Sequence, residues 1–267
     1  MLRAPSFPQR PAGAAPWHWA IYGVLAGLLI NVVFYGPAGW LAAAVDRATS
    51  GRVQLIEARG TVWTGTAQLL LTGGAGSRDR ALLPGFVNWK LRPGWLAVNL
   101  QLSADCCTPL PLQGRLTPRW DGASLQLSDG VSEWPVAVLA GLGTPWNTVQ
   151  VQGSLRLATQ KLSAKWLEGR LALTGRAELT ASRLSSNLTT LKPMGSYRVT
   201  LIGGSPTALE LATLEGGLRL SGNGRWVGSR LRFEGVASAA PEHEAVLANL
   251  LNIIGRRDGA RSIITLG

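Results

Sequence analysis

The sequence predicts a mainly β protein. An N-terminal transmembrane helix leads into a curved antiparallel sheet, a half-barrel-like meander or a sandwich, and a short helix lies near the C-terminus. Three observations carry this reading. Residues 11–45 contain no Asp, Glu, Lys or Arg. After Asp46 apolar residues recur with period two rather than 3.6. Residues 241–255 then return to helical spacing.

Composition bounds the possibilities. The chain has 267 residues, of which 46% are hydrophobic and 15% charged. About 25% charged is usual in soluble domains, and disorder needs the opposite balance. Gly 33 and Pro 15 favour many turns over long helices. Two His and two Cys leave little for histidine catalysis, a four-cysteine zinc module or a disulfide-dense scaffold. The net charge is +11. The basic residues are scattered singly between apolar ones, as on the wet face of a sheet, so nucleic acid is not an expected partner. A basic surface suits anionic lipid or an acidic partner.

The first element is a membrane anchor over residues 17–45, preceded by a cytoplasmic arm over 1–16. Crossing a bilayer takes about 20 apolar residues, and this stretch supplies them. Trp17, Trp19 and Tyr22 at one end and Tyr35 and Trp40 at the other read as aromatic belts. A cleaved signal peptide is the competing reading, because Leu41–Ala44 offers small residues for cleavage, but a signal core is only about 7–15 residues long. Arg3 and Arg10 precede the segment while Arg47, Arg52 and Arg59 follow it, so charge does not orient it. A short arm most simply stays in the cytoplasm. Residues 46–267 then form one β-rich domain of a single-pass membrane protein, outside the inner membrane and periplasmic if the cell is a Gram-negative bacterium, with no internal linker.

The strands follow in order. Apolar and polar residues alternate over 150–157, 168–180, 196–201, 208–212, 217–221 and 230–234. Turn signals separate them at Gly203–Pro206, Glu215–Gly217 and Asn223–Gly224. Such short spacing implies antiparallel hairpins. Gly153 and Gly175 suit bulges. Residues 132–143 read as a short helix with Pro135 in its first turn. Pro241 to Gly255 is a second helix, with Val246, Leu247, Leu250, Leu251 and Ile254 on one stripe. Residues 261–267 form a last strand. The abundant Trp, eleven in all, reads mainly as core packing.

A search for chemistry finds little. His243 between Glu242 and Glu244 is a solvated helix-end residue, and His18 is interfacial. No metal site or catalytic residue is nominated, and no cofactor is expected. Cys106 and Cys107 are neighbours, outside any C-x-x-C pair. They could form a vicinal disulfide, stay reduced, or cross-link two copies, so a homo-oligomer is open. No phosphate-binding loop or nucleophile elbow is present.

Several stretches resemble the N protein family of the bacterial type II secretion system. Gly60-Thr-Val-Trp-Thr-Gly65 is similar to that family's Gly-x-Val-Trp-Ser/Thr-Gly signature, through Gly60, Val62, Trp63 and Gly65. Leu83-Pro then Trp89-Lys-Leu91 resembles its Leu-Pro and Trp-x-Leu segment. The end is the most specific piece: Leu250, Leu251, Asn252, Gly255, Arg256, Arg257 and the terminal Gly267 match the family's Leu-Leu-Asn-φ-φ-Gly-Arg-Arg…Gly ending. The resemblance implies a non-enzymatic inner-membrane component of that exporter. Its partners would be other secretion subunits, in the inner-membrane platform or the outer-membrane secretin, together with inner-membrane lipid. A lipid-handling protein with an apolar β groove is the alternative.

Overall fold

The computed structural model describes residues 17–267, except 75, 145, 168, 169 and 229. The expected cytoplasmic arm lies outside the described residues. The chain divides into two compact units, residues 1–36 and 37–267.

The first unit contains helix α1, Trp17–Tyr35. Its described side chains are exposed along the whole length, including Trp17, Trp19, Tyr22, Leu25, Phe34 and Tyr35. The Trp19 and Tyr22 rings meet edge to face with centroids 6.5 Å apart. A helix apolar on every side is one that must be covered by something other than water. Among the described residues, no helix is long and apolar enough to cross a membrane. Pro37 ends α1, since it has no N–H and holds the residue before it away from helical geometry.

The second unit opens with α2, Ala38–Ala48. Part of the apolar run 17–45 is therefore a separate helix, with Ala38 buried beside Ala67 and Trp89 and Leu41 packed against them. Eight strands follow: β1 Val53–Gly60, β2 Thr64–Thr72, β3 Arg80–Leu82, β4 Val87–Pro93, β5 Val98–Ala104, β6 Leu112–Arg119, β7 Gly122–Leu127 and β8 Gly130–Pro135. A 3-10 helix (Val136–Leu142) and the short α3 (Trp146–Val149) lead to the long hairpin of β9 Gln152–Leu167 and β10 Arg170–Ser185. Then come β11 Gly195–Ile202, β12 Ala208–Gly216, β13 Leu218–Val227, β14 Arg230–Ala239, α4 Glu244–Ile254, β15 Arg256–Asp258 and β16 Arg261–Leu266.

The described strands form one antiparallel sheet in the order β1-β2-β4-β5-β6-β7-β9-β10-β11-β12-β13-β14-β16-β15, with β3 beside β2 and β8 beside β9. The sheet does not close: β1 and β15 are its two ends. The meander expectation holds. The sandwich alternative does not, because there is no second sheet to pack against among the described strands.

Period-two alternation survives along such long strands only because extra residues are inserted. In the β9–β10 hairpin, Leu155, Leu157 and Thr159 face one side, and Ala164 and Trp166 face the same side farther on. The interval from 159 to 164 is odd. The register shift beside Lys161 (φ 48°) and Gly175 (φ 87°) absorbs the additional residue. A Cβ at Gly175 would stand 2.2 Å from the Lys161 carbonyl oxygen, so only glycine fits opposite this bulge.

That one face carries all three buried clusters. Leu69, Leu71, Leu83, Val87, Ala104, Cys107, Trp134 and Val138 form one. The cluster around Trp89 shares Leu102 with it. The third gathers Met194, Tyr197, Leu218 and Ala237 under Leu247, Leu250 and Leu251 of α4. Tyr197 donates its hydroxyl to the Leu218 carbonyl at 3.0 Å, and burial pushes its pKa up.

Three expectations are corrected. Residues 132–135 are strand, not helix, and the helix begins only at Val136. Pro135 is tolerated because β8 is an edge strand and Pro135 is its last residue. Asn223–Gly224 is no turn but lies mid-strand in β13, with Gly224 opposite Phe233. There glycine makes room for a ring, since a Cβ at Gly222 would meet Phe233 at 2.5 Å. On α4 the stripe is Leu247, Leu250, Leu251 and Ile254, while Val246 is exposed.

Leu250→Ala should cost about 2–5 kcal/mol in a denaturant melt of the detergent-solubilised chain, and Val246→Ala within about 0.5 kcal/mol of zero. Tyr197 supplies a pH test. Its raised pKa keeps it protonated in the folded state while the unfolded chain ionises near 10.0. Its contribution is therefore complete below that pH and falls as pH rises above it. The same melts should lose stability above pH 10 more steeply for the parent than for Tyr197→Phe.

Candidate functional site

The Gly60–Gly65 hairpin is a seat for Trp89. Gly60 adopts φ 94°, and a Cβ there would lie 2.5 Å from the Thr64 carbonyl oxygen. The Thr61 N–H donates to that carbonyl at 2.8 Å and closes the turn. Gly65 is bare because the Trp89 ring lies on it; a Cβ would stand 2.4 Å from the ring. The Trp89 indole N–H donates to the Val62 carbonyl at 3.0 Å. The Leu91 N–H donates to the Trp63 carbonyl at 2.6 Å. Trp89 is only 2% exposed, whereas Val62 and Trp63 are half-buried. The sequence pattern draws the eye to Trp63, but the ring that Gly65 accommodates is Trp89, while Gly60 serves the turn.

The C-terminal residues act as a cap. Leu250 and Leu251 are buried against the sheet. The Ser262 hydroxyl donates to the Leu251 carbonyl at 2.6 Å, satisfying an acceptor in the last turns of α4. Gly255 allows the chain to double back, because a Cβ there would meet the Ile263 carbonyl at 2.6 Å. Asn252, Arg256 and Arg257 remain exposed. The terminal Gly267 (φ 126°) passes close over the Leu231 carbonyl. The two motifs thus sit on opposite halves of the sheet, on β1–β2–β4 and on α4–β15–β16, and do not meet in one site.

Cys106 and Cys107 are joined in a vicinal disulfide between β5 and β6. Cys107 is buried in the Val87 cluster and Cys106 is exposed. His243 is half-buried and packs over Gly217, where a Cβ would stand 2.3 Å from its ring; it is not simply solvated. Among the described residues, no group of three or more His, Cys, Asp or Glu could hold a metal ion. On the polar face Glu178 lies 3.1 Å from Arg198 and 3.5 Å from Arg176. These pairs are partly exposed and contribute little.

The feature that invites a partner is the apolar face between the clusters. The pairings place Leu100, Leu116, Leu125, Trp166 and Leu171 on the same face as Trp89 and Leu91. The described helices pack mainly on β1–β3, on β9 and on β14–β16, and among the described residues of β5–β7 only Leu102 and Ala104 of β5 join the buried clusters. Trp166 is 41% and Leu171 53% exposed. The opposite face of the same strands carries Lys90, Arg92, Asn99, Gln101, Arg115 and Gln126. Period-two patterning announces one apolar face, but which part of it the helices leave open depends on tertiary placement. The expectation that Trp is mainly core holds for Trp89 and Trp134 and fails for Trp95 and Trp120, which are fully exposed.

The family model of type II secretion system protein N matches residues 51–264. The chain belongs to that family. The match runs from just before β1 into β16 and so includes Gly60–Gly65 and Leu250–Arg257 but not Gly267. No curated protein sequence and no solved structure matches significantly. Membership makes the chain a component of type II secretion, a family that is generally non-enzymatic and acts with other subunits of that system.

Trp89→Ala should destabilise by about 3–5 kcal/mol in the same denaturant melts. Trp89→Phe keeps a ring on Gly65 but orphans the Val62 carbonyl, and should cost about 1–3 kcal/mol.

Proposed function

We propose that this chain is a non-enzymatic interaction component of the type II exporter. Its N-terminal apolar segment tethers it to the inner membrane, and the open sheet faces the periplasm, where it contacts other secretion subunits in the inner-membrane platform or the secretin. One observation carries the contact role: Leu116, Trp166 and Leu171 of β6, β9 and β10 stand exposed on the apolar face. Apolar surface left bare on one face is what a partner buries. The tether is argued from the sequence, since residues 11–45 carry no Asp, Glu, Lys or Arg and the described side chains of α1 are exposed and mostly apolar. The vicinal disulfide is compatible with an oxidising compartment.

The same bare face supports a second reading, lipid handling. Against it, Leu and Trp side chains and the helices fill the face at both ends, around Trp89 and under α4.

Two measurements separate these readings. Alkaline carbonate washing should leave the full chain in the membrane pellet; release into the supernatant removes the tether. A photo-crosslinking amino acid at position 116 or 171 should then capture an exporter subunit, identified by mass spectrometry. Phospholipid adducts alone would favour lipid handling.

A further inference from the structure

The strand pairings put the tryptophans in an unexpected place. The hairpins β1–β2, β4–β5, β6–β7, β9–β10, β11–β12 and β13–β14 all turn at the same end of the sheet. Their closing pairs are Gly60/Gly65, Pro93/Val98, Arg119/Gly122, Leu167/Arg170, Ile202/Ala208 and Val227/Arg230. Five of these six turns hold or adjoin a tryptophan: Trp63, Trp95, Trp120, Trp166 and Trp226. A sixth, Trp40, is in the first turn of α2. That turn is at the same end, because Pro37 pairs with Thr61. Of the nine tryptophans after Gly36, six are therefore at this end. Trp89 and Trp134 belong to the core, and Trp146 alone is among the turns of the other end.

Packing does not account for this arrangement. Trp95 is 97% exposed and Trp120 is bare, and Leu96 and Val227 stand out beside them. The strand ends at these turns are also basic: Arg59, Lys90, Arg92, Arg119, Lys165, Arg225, Arg230 and Arg232 against Glu57, Asp121 and Glu210. The opposite end is mixed: Asp79, Asp105, Asp129, Glu215, Glu242 and Glu244 stand there among Arg52, Arg78, Arg80, Arg183, Lys192, Arg219 and Arg261.

Tryptophan with flanking cations is the side-chain set that seats at a bilayer headgroup layer: the ring has an apolar body and a polar N–H, and the cations meet anionic lipid. The six rings are spread over ten inter-strand steps, roughly 50 Å along the sheet at about 4.8 Å per step. A compact protein epitope concentrates its anchors in one pocket instead. Pro37, two residues after the end of α1 in the chain, also pairs at this end.

We propose that this tryptophan-tipped, basic end of the sheet rests on the surface of an anionic bilayer with its exposed rings at headgroup depth. The inference deepens the membrane-tether reading and takes that bilayer to be the one holding the tether. The probe is the full chain reconstituted in phosphatidylethanolamine–phosphatidylglycerol vesicles. Nitroxide labels are placed singly, without reductant, at Leu96→Cys and Asp121→Cys on the tips, Ser128→Cys at the other end, and Leu25→Cys in α1. Collision with an aqueous nickel chelate should be severalfold lower at 96 and 121 than at 128. Trp95→Ser with Trp120→Ser should abolish that difference at 121 and leave the label at 25 shielded.

Shielding at 25 with labels 96 and 121 fully open overturns the proposal and leaves the tether intact. Openness at all three overturns both. Shielding at 96 and 121 with 25 open supports the bilayer-facing end and removes the tether. Shielding of 96 and 121 that persists in detergent without lipid reports protein contact at the tips and overturns the proposal.

Discussion

An open sheet with one apolar face must keep that face away from water, and the rest of this molecule is arranged around that need. The face is continuous from Leu55 on β1 to Ile264 on β16, because every strand contributes alternate side chains to it. A closed barrel would bury it without help. Here helices must do so instead. Each covering element owes its position to a local breaker: Pro37 before α2, Pro135 and Gly143 around the 3-10 helix, Pro241 before α4, Gly255 after it. These covers reach the two flanks and, through the 3-10 helix, β9, and they leave Leu116, Trp166 and Leu171 exposed between them.

Bulges make the face possible over such lengths. A sixteen-residue strand twists, and an uninterrupted pair would carry its residues out of register with the neighbours. Glu57, Lys161 and Arg183 each adopt positive φ at or beside a register shift. All three are long and charged, so the side chain at the distorted position can remain in water. The Ser196 hydroxyl accepts the Arg183 N–H at 3.0 Å, so the amide freed from the ladder at that bulge is not left unpaired. The glycines act differently. Gly65 and Gly222 are removed side chains, giving a ring a flat floor on a sheet that is otherwise too crowded to hold one.

Much of this was legible in the residues. The period-two runs from 150 onward correspond to β9–β14 and β16, and the Pro241–Gly255 helix is in place. What was not legible shares one physical cause: local chemistry that tertiary contacts override. Asn223–Gly224 has turn chemistry and became strand because Phe233 needs the space. Residues 53–127 alternate less cleanly, since Gly, Pro and Trp interrupt them, and seven strands are hidden there. The Gly60–Gly65 pattern marked the right hairpin and the wrong indole, because a glycine advertises that something approaches without saying what. Trp95 and Trp120 carry no sequence signal of exposure beyond their place in Pro-Gly-Trp and Arg-Trp-Asp-Gly turns. Only the strand pairing shows that they share an end.

Among the described residues no three His, Cys, Asp or Glu gather where they could hold a metal ion, and the architecture gives a physical reason. Catalysis needs side chains held to the same point from several directions, in a cleft that excludes water. An antiparallel meander projects its side chains away from a surface, in two parallel sets. The polar set on β4–β7, with Lys90, Arg92 and Arg115, is spaced by the strand repeat and faces solvent. Such a surface recognises extended things: another sheet, a strand, a lipid layer. A component whose work is contact needs area and periodicity more than it needs a pocket, and this sheet has both to spare where its helices stop.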